Sequence, residues 1–303
     1  MLNNIGRLDE DSTKELDQYI NDIFADIDND KKDAAKEKIY SMARTQNYFI
    51  REYFGRHLLD YHNQRKILPI MKKMLKSEYY GERATALFYF YTKHFKEPDK
   101  IIDVIEQVFE TTPWETENML NEMWKHSVAL MKRRMKEWSK SDNELKRALS
   151  FHGMEHIVNS DPEYIMEFIG NTIGDESFEV QKKITHILTQ VAKIKPIIVY
   201  PYIREWLINS TDVHAKTIWV SMKKLANIML QKSKRDKTQD FIILTEQTIK
   251  DWSLDPNEKI NKIGKKLYAI IKHDSPNNSG SKYNNNHYNK QNNGRSNNHR
   301  YKK

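Results

Sequence analysis

Cysteine is absent from the 303 residues, which excludes disulfides, thiolate zinc sites and cysteine nucleophiles and agrees with a reducing compartment. Glycine and proline are scarce, at 9 and 8 residues. So little backbone punctuation favours long helices over many short strands. No apolar run reaches the roughly 18 residues of a membrane-spanning helix, and the opening MLNNIGRLDEDSTK carries neither a basic n-region nor an apolar h-region. Glycine-rich phosphate loops, nucleophile elbows and dinucleotide fingerprints are missing as well. The expectation is a cytoplasmic all-α protein with a sizeable core, no membrane partner and no cofactor.

What is present begins with charge. The net charge is +8, but residues 276–303 contain six cations (Lys282, Lys290, Arg295, Arg300, Lys302 and Lys303) and no anion, which leaves +2 for the rest. Rich in asparagine and almost free of aliphatic side chains, the segment 274–303 buries too little to offset the entropy of ordering and is expected to be a disordered basic tail. Its Tyr283, Tyr288 and Tyr301 stand between cations, an arrangement that suits stacking on bases and equally a solubilising end.

Internal similarity organises the remainder. Six segments align: NYFIREYFGRHL from Asn47, EYYGERATALFYF from Glu78, DNELKRALSFHG from Asp142, ESFEVQKKITHIL from Glu176, TDVHAKTIWVSM from Thr211 and PNEKINKIGKKL from Pro256. Each opens with helix-starting polar residues, continues at helical apolar spacing and carries cations in its first turns: Arg51, Arg83, Lys146 with Arg147, Lys182 with Lys183, Lys216, and Lys262. TPWETENMLNEMW, from Thr112, fills the widest gap with acids where the others have bases. Such a period predicts helical hairpins stacked into a curved α-solenoid with a concave groove. The expected organisation is an N-terminal capping region over 1–38, a repeat domain over 39–273 and the tail.

Local patterns support the register. Thr112, Pro113 and Glu115 read as a capping box with proline at the first helical position, and Ser12 with Glu15 as a second box. Leu16, Tyr19, Ile20, Ile23, Phe24 and Ile27 form the apolar stripe of the first helix. In the helix from Phe178, Val180, Ile184, Ile187, Leu188 and Val191 share one side, leaving Lys182, His186 and Gln190 opposite. In the helix from Pro113, Leu120, Met123 and Trp124 form the buried stripe, whereas Trp114, Asn118, Asn121 and Lys125 share another face. A large aromatic on a polar stripe is unusual, and packing against a neighbouring repeat is its commoner explanation.

Arg133 to Lys193, and within it WSKSDNELKRAL from Trp138 to Leu149, resembles the DNA alkylation repair superfamily, the HEAT-like repeat alkylpurine DNA glycosylases, over about residues 40–270. The resemblance implies a HEAT-like solenoid whose positive concave surface grips duplex DNA, alkylated or not, by its phosphates, as a monomer. It further implies two tryptophans and an aspartate around the lesion's deoxyribose, the carboxylate stabilising an oxocarbenium-like sugar while the cationic base departs. Trp114 corresponds to the first tryptophan, and Arg147 to a DNA-contacting arginine. Lys146, Lys182, Lys183, Lys216 and Arg51 are the further DNA-binding candidates. The aspartate's position holds Asn118 and the second tryptophan's holds His186. A lost carboxylate about 4 Å from a sugar cation forfeits about 4 kcal/mol at an effective dielectric near 20, about a thousandfold in rate. The resemblance therefore implies a DNA binder with weak or absent glycosylase activity. An active N-glycosylase and a protein-interaction scaffold are the alternatives; of the neighbouring acids, Glu122, one turn on from Asn118, is expected to reach the same space.

Two other motifs carry less. HGMEH, His152 to His156, has the spacing of an inverted zinc-peptidase motif, but His152 falls near Leu145, Ala148 and Leu149, and Gly153 weakens a helix meant to hold metal rigidly. DIDNDKKDAAKE, Asp26 to Glu37, has acids at the first, third, fifth and twelfth positions of a calcium loop but Lys31 where the turn glycine belongs. A core histidine and a solvated helix connection are the preferred readings, and no metal site is expected.

Overall fold

The computed structural model describes residues 6–273, and among them there are fifteen α-helices, two short 3-10 helices and no strand. The all-helical expectation holds. The expected basic tail, 274–303, lies outside the described residues. No described helix is long and apolar enough to cross a membrane.

The chain divides into two compact units, Met1–Ser221 and Met222–Lys303. The division falls inside the 39–273 segment expected to be one domain. In the first unit the helices are α1 (Glu10–Asp28), α2 (Lys32–Ala43), α3 (Tyr48–His57), α4 (Gln64–Met74), α5 (Tyr80–Lys93), α6 (Pro98–Val108), α7 (Pro113–His126), α8 (Val128–Trp138), α9 (Glu144–Leu149), α10 (Pro162–Gly170), α11 (Phe178–Ile194) and α12 (Pro196–Ile208). Then α13 (Asp212–Ser233) runs from the first unit into the second, which adds α14 (Asp240–Ser253) and α15 (Glu258–His273). Helix α2 also continues through the expected boundary at 38/39.

All six aligned segments open helices: α3, α5, α9, α11, α13 and α15. Their starts have local causes. Asn47 and Asn143 cap α3 and α9 with side-chain oxygens that accept from backbone N–H groups of the first turn. Pro98, Pro113, Pro162 and Pro196 occupy the first turns of α6, α7, α10 and α12, where the missing N–H removes no helical bond.

Neither expected capping box forms. Asp9 caps α1 by accepting from the Ser12 N–H at 2.8 Å, so Ser12 lies inside the helix. Thr112 turns its hydroxyl back to the Val108 carbonyl at 2.9 Å, and Glu115 is committed elsewhere. The calcium-loop reading fails too: Asp26 and Asp28 belong to α1, and residues 29–31 alone separate α1 from α2. Asp26 pairs with Lys38 at 2.7 Å.

Core formation follows the apolar faces. Leu16, Ile20, Ile23 and Ile27 are buried along α1, and Phe54, Phe88, Tyr89, Trp124, Trp138 and Phe151 are among the largest fully buried side chains. At about 25 cal/mol per Å² of apolar surface, each contributes about 2–3 kcal/mol. Helix α5 is buried almost all round, the pattern of a central helix. It packs on α3, and the approach is close because Gly55 lacks a side chain: a Cβ there would stand 2.4 Å from the Thr85 carbonyl oxygen.

Candidate functional site

Helix α7 is fixed at its first turn by a buried charge pair. Glu115 is 0% exposed and Arg51 5%, with Arg51 Nη2 donating to Glu115 Oε1 at 3.0 Å. Tyr80 donates its hydroxyl to the other carboxylate oxygen at 2.6 Å, and Arg51 Nη1 donates to the Thr45 carbonyl at 2.9 Å. Turning Glu115 inward turns its neighbour Trp114, about 100° away around the helix, outward. Trp114 is 75% exposed. The expected packing of this indole against a neighbouring repeat does not occur.

One turn on, Asn118 donates its amide N–H to the Tyr48 hydroxyl at 2.6 Å. Burial, with a smaller effect from the Glu52 and Glu115 charges, pushes the Tyr48 phenol far above its ordinary value, so it stays neutral. Tyr48 and Asn118 line an open cleft of about 490 Å³ together with Glu52, Arg56, Tyr91 and Glu122. Glu122 thus lines the same space as Asn118, in agreement with the reach expected from helical spacing, and it also pairs with Lys125 at 2.6 Å.

A second cluster ties α7 to α11. Lys183 donates to Glu117 Oε1 at 2.8 Å and lies 3.2 Å from His152 Nδ1, while Glu117 and His152 are 3.6 Å apart. Burial pushes the Glu117 carboxyl up, but the Lys183 hydrogen bond and the charges of Lys183 and Lys182 outweigh it and hold the group below the usual carboxylate range. Burial, then the Lys183 charge, hold His152 below the ordinary imidazole value. An ammonium only donates, so Nδ1 accepts and the neutral ring carries its proton on Nε2. The cluster joins the stretch bearing Trp114 and Asn118 to the one bearing His186. His186 is exposed, one turn beyond Lys183 on α11.

A family model described as DNA alkylation repair enzyme matches residues 45–235, more than half of the chain. The chain belongs to the DNA alkylation repair enzyme family. No curated protein matches it.

Within this member of the DNA alkylation repair family, the repeated cations have a structural use that alters the expected DNA-binding set. Arg51, Arg83 and Arg147 each occupy the fourth position after the helix cap, and each donates to the backbone carbonyl six residues earlier: Thr45 at 2.9 Å, Ser77 at 2.5 Å and Ser141 at 2.9 Å. Gln181 does the same to Asp175 at 3.0 Å. Side chains on a helix lean toward its N-terminus, so a long donor at this position reaches back and closes the preceding loop. Arg51 is therefore corrected from a DNA-binding candidate to a buried partner of Glu115. Arg147 is occupied as well, Nε meeting Asp175 Oδ2 at 2.7 Å. Lys146 pairs with Glu106 at 3.0 Å and lies over the Trp138 ring. Lys183 serves Glu117. Lys182, 63% exposed in its side chain and 3.4 Å from Glu179, and Lys216 do face solvent.

The zinc reading of HGMEH loses its geometry. Gly153 adopts a left-handed backbone, φ +83°, which separates His152 from the 3-10 helix carrying Glu155 and His156, so the two histidines do not share a helical face. No group of three potential ligands occurs among the described residues. Tyr48, Glu52 and Glu117, which the structure brings beside Asn118 or Lys183, were not among the candidates read from the sequence. Only Glu117 carried a signal, its three-residue offset from Trp114, while its partner Lys183 lies 66 positions away.

Proposed function

We propose that this protein is a duplex-DNA-binding member of the DNA alkylation repair family, a curved α-solenoid of HEAT-like repeats, and that Asn118 and His186 leave its N-glycosylase activity weak or absent. The observation that carries this reading is the exposure of Trp114 beside the cleft lined by Asn118: an indole held out in water by a helix anchored from below suits stacking on a nucleotide's sugar or base. The packing of α3 on α5 and of α9 on α11, each skipping one helix, supports stacked hairpins. Asn118, a neutral amide bonded to a neutral phenol, supplies no charge to a sugar cation.

A second reading, an active N-glycosylase for cationic alkylated purines, is favoured by Glu122, whose carboxylate lines the Asn118 cleft. Both readings require binding to duplex DNA that weakens steeply with salt, because each neutralised phosphate releases counterions. The test is fluorescence anisotropy of a labelled duplex with the wild type and Trp114→Ala. Salt-dependent binding that falls on removing the indole supports the reading. Binding insensitive to both salt and Trp114 contradicts it and favours the scaffold alternative.

A further inference from the structure

Charge is distributed unequally between the two units. From Met222 onward the chain carries 18 lysines and arginines against 7 acids, a net +11, whereas residues 1–221 carry 32 against 35, a net −3. Six of the 18 cations lie beyond residue 275, outside the described residues, so the imbalance is already +5 for 222–275. The small positive charge of residues 1–275 thus conceals an acidic unit and a basic one. In the first unit the cations expected to meet DNA are largely held by carboxylates, as Arg51, Lys146, Arg147 and Lys183 are.

The second unit differs in kind. A groove of about 410 Å³ opens among the end of α13, α14 and α15, lined by the buried Met229, Ile242 and Ile271 and by Lys234, Lys237, Lys250 and Lys272. Its one acid, Glu246, is satisfied by Lys250 at 2.7 Å. Among the described residues no carboxylate lies within ion-pair distance of Lys234, Lys237 or Lys272. A cleft with an excess of one sign of charge over a low-dielectric lining concentrates its field at the mouth, and the complementary ligand is a chain of closely spaced anions.

We propose that this groove, built from residues 229–272, is the main electrostatic anchor of this protein on duplex DNA, with Lys234, Lys237 and Lys272 holding consecutive backbone phosphates at its mouth. The proposal rests on the duplex-DNA reading above. It assigns affinity to the second unit and leaves the Trp114 region in the first to inspect the nucleotide. Tethering by one anchor raises the effective concentration of the other contact without any new charge in the acidic unit.

The experiment measures affinity of the full chain for a labelled duplex between 50 and 200 mM salt. It compares the wild type, the groove triple variant Lys234→Gln, Lys237→Gln, Lys272→Gln, and a control triple, Lys72→Gln, Lys73→Gln, Lys76→Gln, which removes equal charge from exposed positions of the first unit. Three lost phosphate contacts lower the salt slope by about 2.7, so across that range the wild type loses about 40-fold more affinity than the groove variant. The control keeps the wild-type slope. Strong salt-dependent binding by the wild type with an unchanged groove variant, or with a control that loses as much, overturns the anchor and leaves the duplex-DNA reading standing. Absence of wild-type binding overturns both.

Discussion

Replacing Arg51 with methionine removes one half of a charge pair from which water is excluded. Glu115 then keeps only the Tyr80 hydroxyl, and its charge remains at a site with 0% exposure. Breaking a buried pair on one side costs about 3–5 kcal/mol, because the surviving ion is desolvated without compensation. The guanidinium's bond to the Thr45 carbonyl goes as well, adding about 1 kcal/mol. At about 2–4 °C per kcal/mol for a unit of this size, the melting temperature falls by about 8–24 °C. Removing both charges with Arg51→Met and Glu115→Leu recovers most of the loss, since an apolar pair of similar volume avoids the desolvation cost. The assay is thermal melting by circular dichroism of wild type, both single variants and the double. A single variant within about 0.5 kcal/mol of wild type, the size of an ordinary surface change, refutes the claim that this pair anchors α7. So does a double variant no more stable than the singles.

Three further outcomes follow from the same geometry. His152 is held below its ordinary imidazole value, so acidification protonates the unfolded chain first; stability is full above about pH 6.5 and declines as pH falls below it. Glu117, likewise depressed, extends the decline through the carboxylate range, and a His152→Gln variant, melted between pH 7.5 and 5, shows a shallower loss than wild type. Gly153→Ala forces a left-handed alanine whose Cβ would lie 2.5 Å from the buried Trp124 ring; urea denaturation should report about 2 kcal/mol or more of destabilisation. Trp114→Ala, by contrast, deletes a side chain that is mostly in water, and its denaturation midpoint should stay within about 0.5 kcal/mol of wild type.

Helix starts were legible where a local cause sits in the sequence. Asn47 and Asn143 announce α3 and α9, and the prolines announce α6, α7, α10 and α12, because caps and first-turn prolines act within four residues. The alternation that turns His186 outward on α11 was equally local. What misled was also physical. Acids at 26, 28 and 30 look like a loop, yet Asp26 and Asp28 lie in the last turn of α1, where Asp26 pairs with Lys38 and Asp28 accepts from the Tyr61 hydroxyl. The repeated arginines look like a ligand-facing stripe because their period is real, but the period comes from closing the loop before each helix. Glu115 shows the limit most clearly: a glutamate three residues after a threonine suits a capping box, and only the fold reveals Arg51, 64 positions earlier, as its partner. The Glu117–Lys183 pair was illegible for the same reason.

The proposal at stake is that Trp114, Asn118 and His186 handle a lesion with an amide and an imidazole where the family resemblance implies a carboxylate and an indole. Its most direct measurement is abasic-site release from a duplex carrying a single 7-methylguanine, comparing the wild type with Asn118→Asp, His186→Trp. Little release is expected from the wild type and a rise toward a thousandfold from the double variant, the value of about 4 kcal/mol of restored charge stabilisation. A double variant that folds and binds the duplex but releases no more base than wild type would contradict it.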